Sequence, residues 1–229
     1  MTVYFDQIEE EVASNSIPVG RVDIPKQGGL YRNIIKPIIE AAAVLLVAPF
    51  VVPVVLLLAV IVGNDGHNPF YWSKRVGKGG KVFHMLKLRT MVPNADAMLD
   101  QHLAEDPKAK AEWDETQKLK NDPRITKFGR ALRKTSLDEL PQLWNVLVGE
   151  MSLVGPRPML PSQRAMYPGV AYYALKPGIT GMWQISDRNE VEFAKRAVFD
   201  KDYYVKMSFP LDFGILTKTV GVVIKGTGY

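Results

Sequence analysis

The sequence predicts a mainly α fold with one short β-hairpin, an α+β arrangement, built onto a membrane segment. Three observations carry this reading. Ala41 to Asn64 runs for 24 residues without a charge. Two β-prone runs, Phe70-Tyr71-Trp72 and Val82-Phe83-His84-Met85, flank a glycine-rich turn. Elsewhere, helical patterns are punctuated by proline and glycine.

As a straight helix the apolar stretch would reach about 36 Å at ~1.5 Å per residue, more than a hydrocarbon core of about 30 Å. Pro49 and Pro53 fall near its middle. A proline-kinked crossing is the ordinary reading. The flanking charge argues otherwise: Arg21, Lys26, Arg32 and Lys36 precede the segment, and Lys74, Arg75, Lys78 and Lys81 follow it. Neither end has a reason to leave the cytoplasmic side. A re-entrant membrane helix, broken at Pro49 and returning to the leaflet it entered, keeps both flanks there. The expected organisation is therefore an N-terminal arm over 1–30, the re-entrant helix over 31–66, and a body over 67–229 ending in interfacial amphipathic helices.

The arm is polar, and its acids precede any hydrophobic run, so it is not expected to be a signal peptide. Residues 1–24 hold five acids and one arginine, which leaves 28 basic and 19 acidic groups, net +9, in the rest of the chain. Such a body is drawn to membrane lipids with anionic head groups or to phosphorylated substrates. Nucleic acid is not an expected partner, because no zinc finger, recognition helix or RNA-binding motif is present. Cysteine is absent, which rules out thiolate metal sites and disulfides, and His67, His84 and His102 stand at no ligand spacing.

Within the hairpin the glycines are turn chemistry, since neither GxGxxG nor the Walker pattern occurs. Lys87 and Arg89 share a face at the strand period of two; they fit a phosphate site or a solvated strand edge. Ala95 to Asn121 reads as two exposed helices divided at Pro107. The chain then reaches Leu132 to Pro158, the stretch around which the rest is organised. Asp138 and Glu139 stand together among Arg130, Arg133, Lys134 and Arg157. Leu140, Leu143, Trp144 and Leu147 predict a short helix with one buried apolar face, ended by Gly149. Ser136 to Glu139 fits a capping box, which would explain the acids without any function. The cations tilt the reading toward phosphate binding, with a carboxylate that stays ionised. Beyond Tyr167-Pro168-Gly169 and Lys176-Pro177-Gly178, Glu190 to Phe209 reads as a helix with Phe193, Ala197, Asp200 and Tyr204 on one stripe. Leu211 to Ile224 reads as another, in core or membrane interface; aromatic residues beside lysines favour the interface.

The run Arg133-Lys134-Thr135-Ser136-Leu137-Asp138-Glu139-Leu140-Pro141-Gln142-Leu143, followed by Gly149 to Pro158 (GEMSLVGPRP), resembles the signature of the bacterial sugar transferase family, the monotopic phosphoglycosyl transferases. Lys81 to Met91, Lys176 to Gly181 and Trp183 to Asn189 extend the resemblance in the same order. Where the family has a Ser-Pro break, a Lys-Arg pair and an Asp, this chain has Ala48-Pro49, Lys36-Pro37 and Glu40. Asp187 stands where glycine is usual.

The resemblance implies transfer of a sugar-1-phosphate from a nucleotide diphosphate sugar, a UDP-hexose with galactose or glucose first, to polyprenyl (undecaprenyl) phosphate, at the cytoplasmic face of the bacterial inner membrane. It implies Asp138 as nucleophile and Mg²⁺ held by Asp138 with Glu139. Glu139 stays open between base, metal ligand and cap. Arg133 and Arg157 are expected at the phosphates, and Gln184, Arg188 and Asn189 at the nucleotide or sugar by family position. A homo-oligomer is compatible with all of this. The competing readings are a non-catalytic membrane anchor or assembly partner in polysaccharide export, which has no use for an intact Asp138-Glu139 pair, and a lipid-phosphate hydrolase, which would more naturally use histidine.

Overall fold

The computed structural model describes residues 29–116, 119–186 and 193–225. Most of the expected arm, together with Asp187, Arg188 and Asn189, lies outside the described residues.

The chain enters through a π-helical turn, Tyr31–Ile35, into α1 (Lys36–Val62). This helix is apolar nearly all round, and only Lys36, Glu40, Val44 and Ala59 are buried. Leu46 and Phe50 are 76% and 77% exposed. So much bare aliphatic surface has no partner among the described residues and marks a membrane-associated helix. The segment Tyr31–Asp65 is long and apolar enough to cross a membrane. Helical geometry continues through Pro49 and Pro53, whereas the sequence places a break at Pro49. Each proline removes one donor, and in an apolar setting the remaining intrahelical bonds hold the backbone helical on both sides of it.

Both ends of α1 rest on the same body. Val44 packs with Phe83, Met85, Val146 and Met151, and Ala59 packs with Leu88 and Leu132. A buried polar network locks the base of the helix. Lys36 Nζ donates to Glu40 Oε1 at 2.8 Å and to Asp212 Oδ2 at 2.7 Å. Asp212 also accepts from the Tyr31 and Tyr203 hydroxyls, each at 2.6 Å. Glu40 accepts from Ser152 Oγ at 2.6 Å and from the Leu153 N–H at 3.0 Å.

The hairpin forms as the sequence predicts: β1 (Phe70–Val76) and β2 (Val82–Leu88) pair antiparallel, from Phe70 opposite Leu88 to Val76 opposite Val82. Gly79 and Gly80 make the turn at φ +69° and +76°, conformations that favour glycine. Next come α2 (Ala95–Glu105) and α3 (Pro107–Thr116), divided at Pro107 as expected. Asp106 Oδ1 caps α3 by accepting the Lys108 N–H at 2.9 Å. Thr126 caps α4 (Lys127–Thr135) by accepting the Gly129 N–H at 2.9 Å.

A 3₁₀ segment, Leu137–Gln142, leads into α5 (Leu143–Leu147), and Gly149 at φ +82° ends it. The expected apolar stripe is only half right. Leu143 and Leu147 pack against the Val44 cluster, but Trp144 is 55% exposed and Asn145 is fully buried. The 3₁₀ stretch advances about 120° per residue rather than 100°, which rotates the faces read from an α-helical period.

The short strand β3 (Ser152–Val154) pairs parallel with β4 (Gly178–Thr180), and α6 (Ala171–Ala174) lies between them in the chain. Then α7 (Arg196–Lys206) and α8 (Phe209–Lys225) close a core of Val154, Leu175, Tyr203 and Ile215. Phe209, Phe213 and Val220 of α8 are exposed, in keeping with the interfacial helix expected there.

Under α7, the Asp200 carboxylate accepts from the Tyr167 hydroxyl at 2.7 Å, and burial pushes it up to about 7. The unfolded chain titrates this group near ~4. Between about pH 4 and 7 the folded protein therefore holds a proton that the unfolded chain has released, and stability falls as pH rises through that window. Melting temperatures at about pH 5 and about pH 8 should show this fall, and Asp200→Asn should flatten it.

Candidate active site

The site is assembled from β2, the end of α4 and the 3₁₀ segment. Phe83, Met85 and Leu88 of β2 pack against Val44 and Ala59 of α1, and the side chain of Asn145 fixes α5 and the preceding 3₁₀ segment against the free edge of β2. That amide accepts the Leu86 N–H at 3.0 Å and donates to the His84 carbonyl at 2.8 Å, as a neighbouring strand would. Gly129 lets α4 approach the end of β2, since a Cβ there would lie 2.1 Å from the Thr90 carbonyl oxygen. Ser136, at φ +56°, ends α4 and turns the chain into Leu137–Gln142. A serine in this left-handed region costs about 1–2 kcal/mol, and it stands two residues before Asp138.

The capping box is not formed. Ser136 makes no side-chain cap, and the Glu139 carboxylate points to β2 instead. Lys87 Nζ donates to Glu139 Oε1 at 2.8 Å and lies 3.6 Å from Asp138 Oδ2, so one ammonium group serves both carboxylates. Asp138 is 5% exposed. Burial pushes its carboxyl above the usual range, while Lys87 and Arg133 pull it down. The sequence reading of a plainly ionised carboxylate thus meets an opposing desolvation. Arg133 is held by its Nε bond to Thr90 Oγ1 at 2.9 Å, and its charge acts on Asp138 and on Arg157.

Arg157 projects from Gly155-Pro156-Arg157-Pro158 into an open cleft of about 280 Å³, which it lines with Arg75, Lys87, Glu139 and Gln142. The loop is pinned by backbone contact. Gly155 N–H donates to the Thr180 carbonyl at 2.8 Å, and Gly178 N–H to the Pro156 carbonyl at 2.8 Å. A Cβ on Gly155 would sit 2.4 Å from the Lys176 carbonyl oxygen. Gly155→Ala is therefore expected to part β3 from β4, to cost about 1–3 kcal/mol, and to misplace Arg157; thermal melting and nucleotide-sugar KM would report the two effects.

Of the other residues expected at the site, Arg89 does not reach the cleft. Its guanidinium grips Asp65 at 2.6 and 2.8 Å and donates to the Val62 carbonyl at 3.0 Å, clamping the foot of α1. The period of two that would align it with Lys87 lapses where β2 ends at Leu88. Gln184 is buried near Gly181, with both ends of its amide lacking hydrogen-bond partners. Arg188 and Asn189 lie outside the described residues.

Sequence reasoning missed Arg75. Its signal was present in the hairpin: Arg75 pairs with Phe83 and Tyr71 with Lys87, which puts Arg75 and Lys87 on one face of the sheet. Arg75 donates to Ser73 Oγ at 3.1 Å and to the Pro158 carbonyl at 3.3 Å. Burial, followed by the charge of Arg157, brings it down to about 10, so it stays cationic at neutral pH. Two carboxylates braced by a lysine, with arginines on both sides, form a place where an anionic diphosphate can meet an oxygen nucleophile.

The family model of the bacterial sugar transferases matches residues 31–226. The chain belongs to that family. It is 48% identical over 196 residues to the UDP-galactose-lipid carrier transferase of Erwinia amylovora, which covers 85% of this chain and 41% of that protein. It is 49% identical over 178 residues to the undecaprenyl-phosphate galactose phosphotransferase of Salmonella typhimurium, covering 77% of this chain and 37% of that one. The exopolysaccharide production protein ExoY of Rhizobium meliloti is 41% identical over 203 residues, with 88% of each chain covered. The chain thus spans about two fifths of the first two relatives and most of the third. The bacterial sugar transferase signature coincides with the braced Asp138-Glu139 pair and the Arg157 loop just described.

Proposed function

We propose that this bacterial sugar transferase is a phosphoglycosyl transferase that moves a hexose-1-phosphate from a UDP-sugar to undecaprenyl phosphate and releases UMP, as a first step of exopolysaccharide or glycoconjugate synthesis. The observation that carries the reading is the Lys87-braced pair Asp138 and Glu139, set between Arg133 and the cleft of Arg75 and Arg157. The names of the Erwinia and Salmonella relatives favour galactose as the first sugar to test.

In this mechanism a carboxylate oxygen of Asp138 attacks the β-phosphorus of the donor. The bond from that phosphorus to the bridging oxygen breaks, and UMP leaves with the electron pair. An oxygen of the polyprenyl phosphate then attacks the same phosphorus, which frees the Asp138 carboxylate and yields a polyprenyl diphosphate sugar. Arg133 and Arg157 hold phosphate oxygens with paired N–H donors, and Arg75 adds charge to the same cleft. Lys87 keeps Glu139 and Asp138 together and lowers the cost of ionising a buried acid.

The donor set suits a hard divalent ion shared with substrate. Among the described residues no cluster of three or more acidic, histidine or cysteine side chains occurs, whereas the adjacent Asp138 and Glu139 offer the few carboxylates that Mg²⁺ takes alongside phosphate oxygens. When bound, Mg²⁺ would supply charge neutralisation for the diphosphate.

The two substrates differ in solubility, so the site belongs at head-group depth. The seating of both ends of α1 on one body supports a helix that enters and leaves by the cytoplasmic face of the inner membrane. Because attack needs the ionised form, kcat/KM should climb with pH through a midpoint above the ordinary ~4 of an aspartate. The deciding experiment incubates the detergent-solubilised protein with undecaprenyl phosphate, Mg²⁺ and a panel of nucleotide sugars. UMP release with one UDP-hexose, matched by a new lipid-linked sugar, is the expected result; no donor consumed by folded protein would sink the reading.

A further inference from the structure

Beyond the cleft, a second cationic cluster has no place in the mechanism so far. Arg196, at the start of α7, is 8% exposed, and its guanidinium carbon lies 4.3 Å from the centre of the Trp183 ring and 4.6 Å from that of Phe193. Arg157 lies over the same indole at 5.6 Å. Stacking uses only the face of a guanidinium; its N–H donors radiate in the plane and remain to be satisfied. For Arg196 they find no acceptor among the described residues, and its Nε is buried without a partner. Nor does a carboxylate ion-pair with Arg75, Arg157 or Arg196 among the described residues. The nearest acid acting on Arg196 is Asp200, which is taken up by the Tyr167 hydroxyl. Burial and the neighbouring Arg157 bring Arg196 down to about 9, which still leaves it charged at neutral pH. Next along the chain, Gln184 is 5% exposed, with both ends of its amide lacking partners. A protein rarely keeps a cation and an amide buried and unsatisfied unless something else completes them.

We propose that Arg157 and Arg196, stacked on Trp183, form a second anion subsite that binds a phosphate monoester and is joined to the cleft through Arg157. This rests on the transferase reading above and deepens it: Arg133 and Lys87 face the phosphorus under attack, and the Trp183 subsite takes the other phosphate of the reaction. Two molecules bring such a group, the departing nucleoside monophosphate and the incoming lipid phosphate. Continuity through Arg157, which touches both clusters, favours the nucleotide, because the two phosphates of the donor are joined through one bridging oxygen.

The test uses the full-length protein in detergent, with UMP, uridine and a short-chain polyprenyl phosphate as probes. Calorimetry on wild type, Arg196→Gln and Arg196→Lys is expected to show UMP binding weakened at least ~10-fold by the glutamine and partly restored by the lysine, with weak uridine binding unchanged. The KM for polyprenyl phosphate should not move. A rise in that KM with UMP binding intact would overturn the nucleotide assignment in favour of the lipid phosphate, and no change in either would overturn the subsite. Should Arg196→Gln fail to fold, intrinsic fluorescence decides instead. UMP, but not uridine, should quench the wild type, and the quench should vanish in Trp183→Phe; a quench that survives removal of Trp183 contradicts the proposal. Wild type that neither transfers sugar nor binds UMP would count against the transferase reading itself. An active wild type whose Arg196 variants bind UMP normally at an unchanged KM for polyprenyl phosphate would count against the subsite alone.

Discussion

Asp138→Asn is expected to lower sugar-phosphate transfer by ~10³-fold or more, the scale of losing an attacking group that works as part of a unit. The substitution keeps the size of the side chain and its polar contact with Lys87, so the fold should persist; near neutral pH it also removes a buried acid whose ionised form is disfavoured. Melting temperature should therefore hold or rise while UMP release collapses. Glu139→Gln is the control that separates the pair. Its carboxylate is bonded to Lys87 at 2.8 Å, and a neutral amide in its place weakens that bond without deleting the nucleophile. A smaller loss, with an acid limb displaced downward because the Glu139 charge no longer raises Asp138, is the expected result. Equal losses in both variants with unchanged pH profiles would mean that the two carboxylates share one role.

The largest effect on stability is expected at Lys36. Lys36→Met leaves Glu40 and Asp212 buried without the ammonium group that neutralises them, and removing one partner of a buried pair costs about 3–5 kcal/mol. The damage should also reach the chemistry, because Glu40 holds Ser152 Oγ at 2.6 Å and the N–H of Leu153 at 3.0 Å, and β3 leads directly to the Arg157 loop. Thermal melting in detergent should drop by many degrees, and transfer measured well below the transition should fall as well. Restoring the charge with Lys36→Arg should recover part of both. A melting temperature within a degree or two of wild type would show that the network contributes little.

Much of this architecture was legible because local chemistry decided it. The hairpin follows from two β-prone runs around glycines that adopt positive φ, the α2–α3 division from Pro107, and α8 from the apolar run after Pro210. The Asp138-Glu139 pair and its company of cations were legible for the same reason, being close in sequence. The remainder depended on contacts between distant segments. Asn145 sits in what reads as an apolar helix, and only the free edge of β2 explains a fully buried amide there. Arg75 lies 63 residues before Asp138, and strand register, not spacing, brings it to the cleft. The capping box failed because Lys87 offers Glu139 a stronger partner than a backbone amide. The strands β3 and β4, three residues each, are too short to show any period. Arg89 was misplaced by extending a strand period one residue past the end of its strand.

The central claim is that Asp138 carries the sugar phosphate between two substrates, and intact-mass analysis tests it most directly. Protein incubated with its UDP-sugar and Mg²⁺ but without polyprenyl phosphate, then acid-quenched, should gain the mass of one hexose phosphate. Peptide mapping should place the adduct on Asp138, and undecaprenyl phosphate added before the quench should discharge it. Rapid transfer with no covalent species at any time, or an adduct on another residue, would contradict the account.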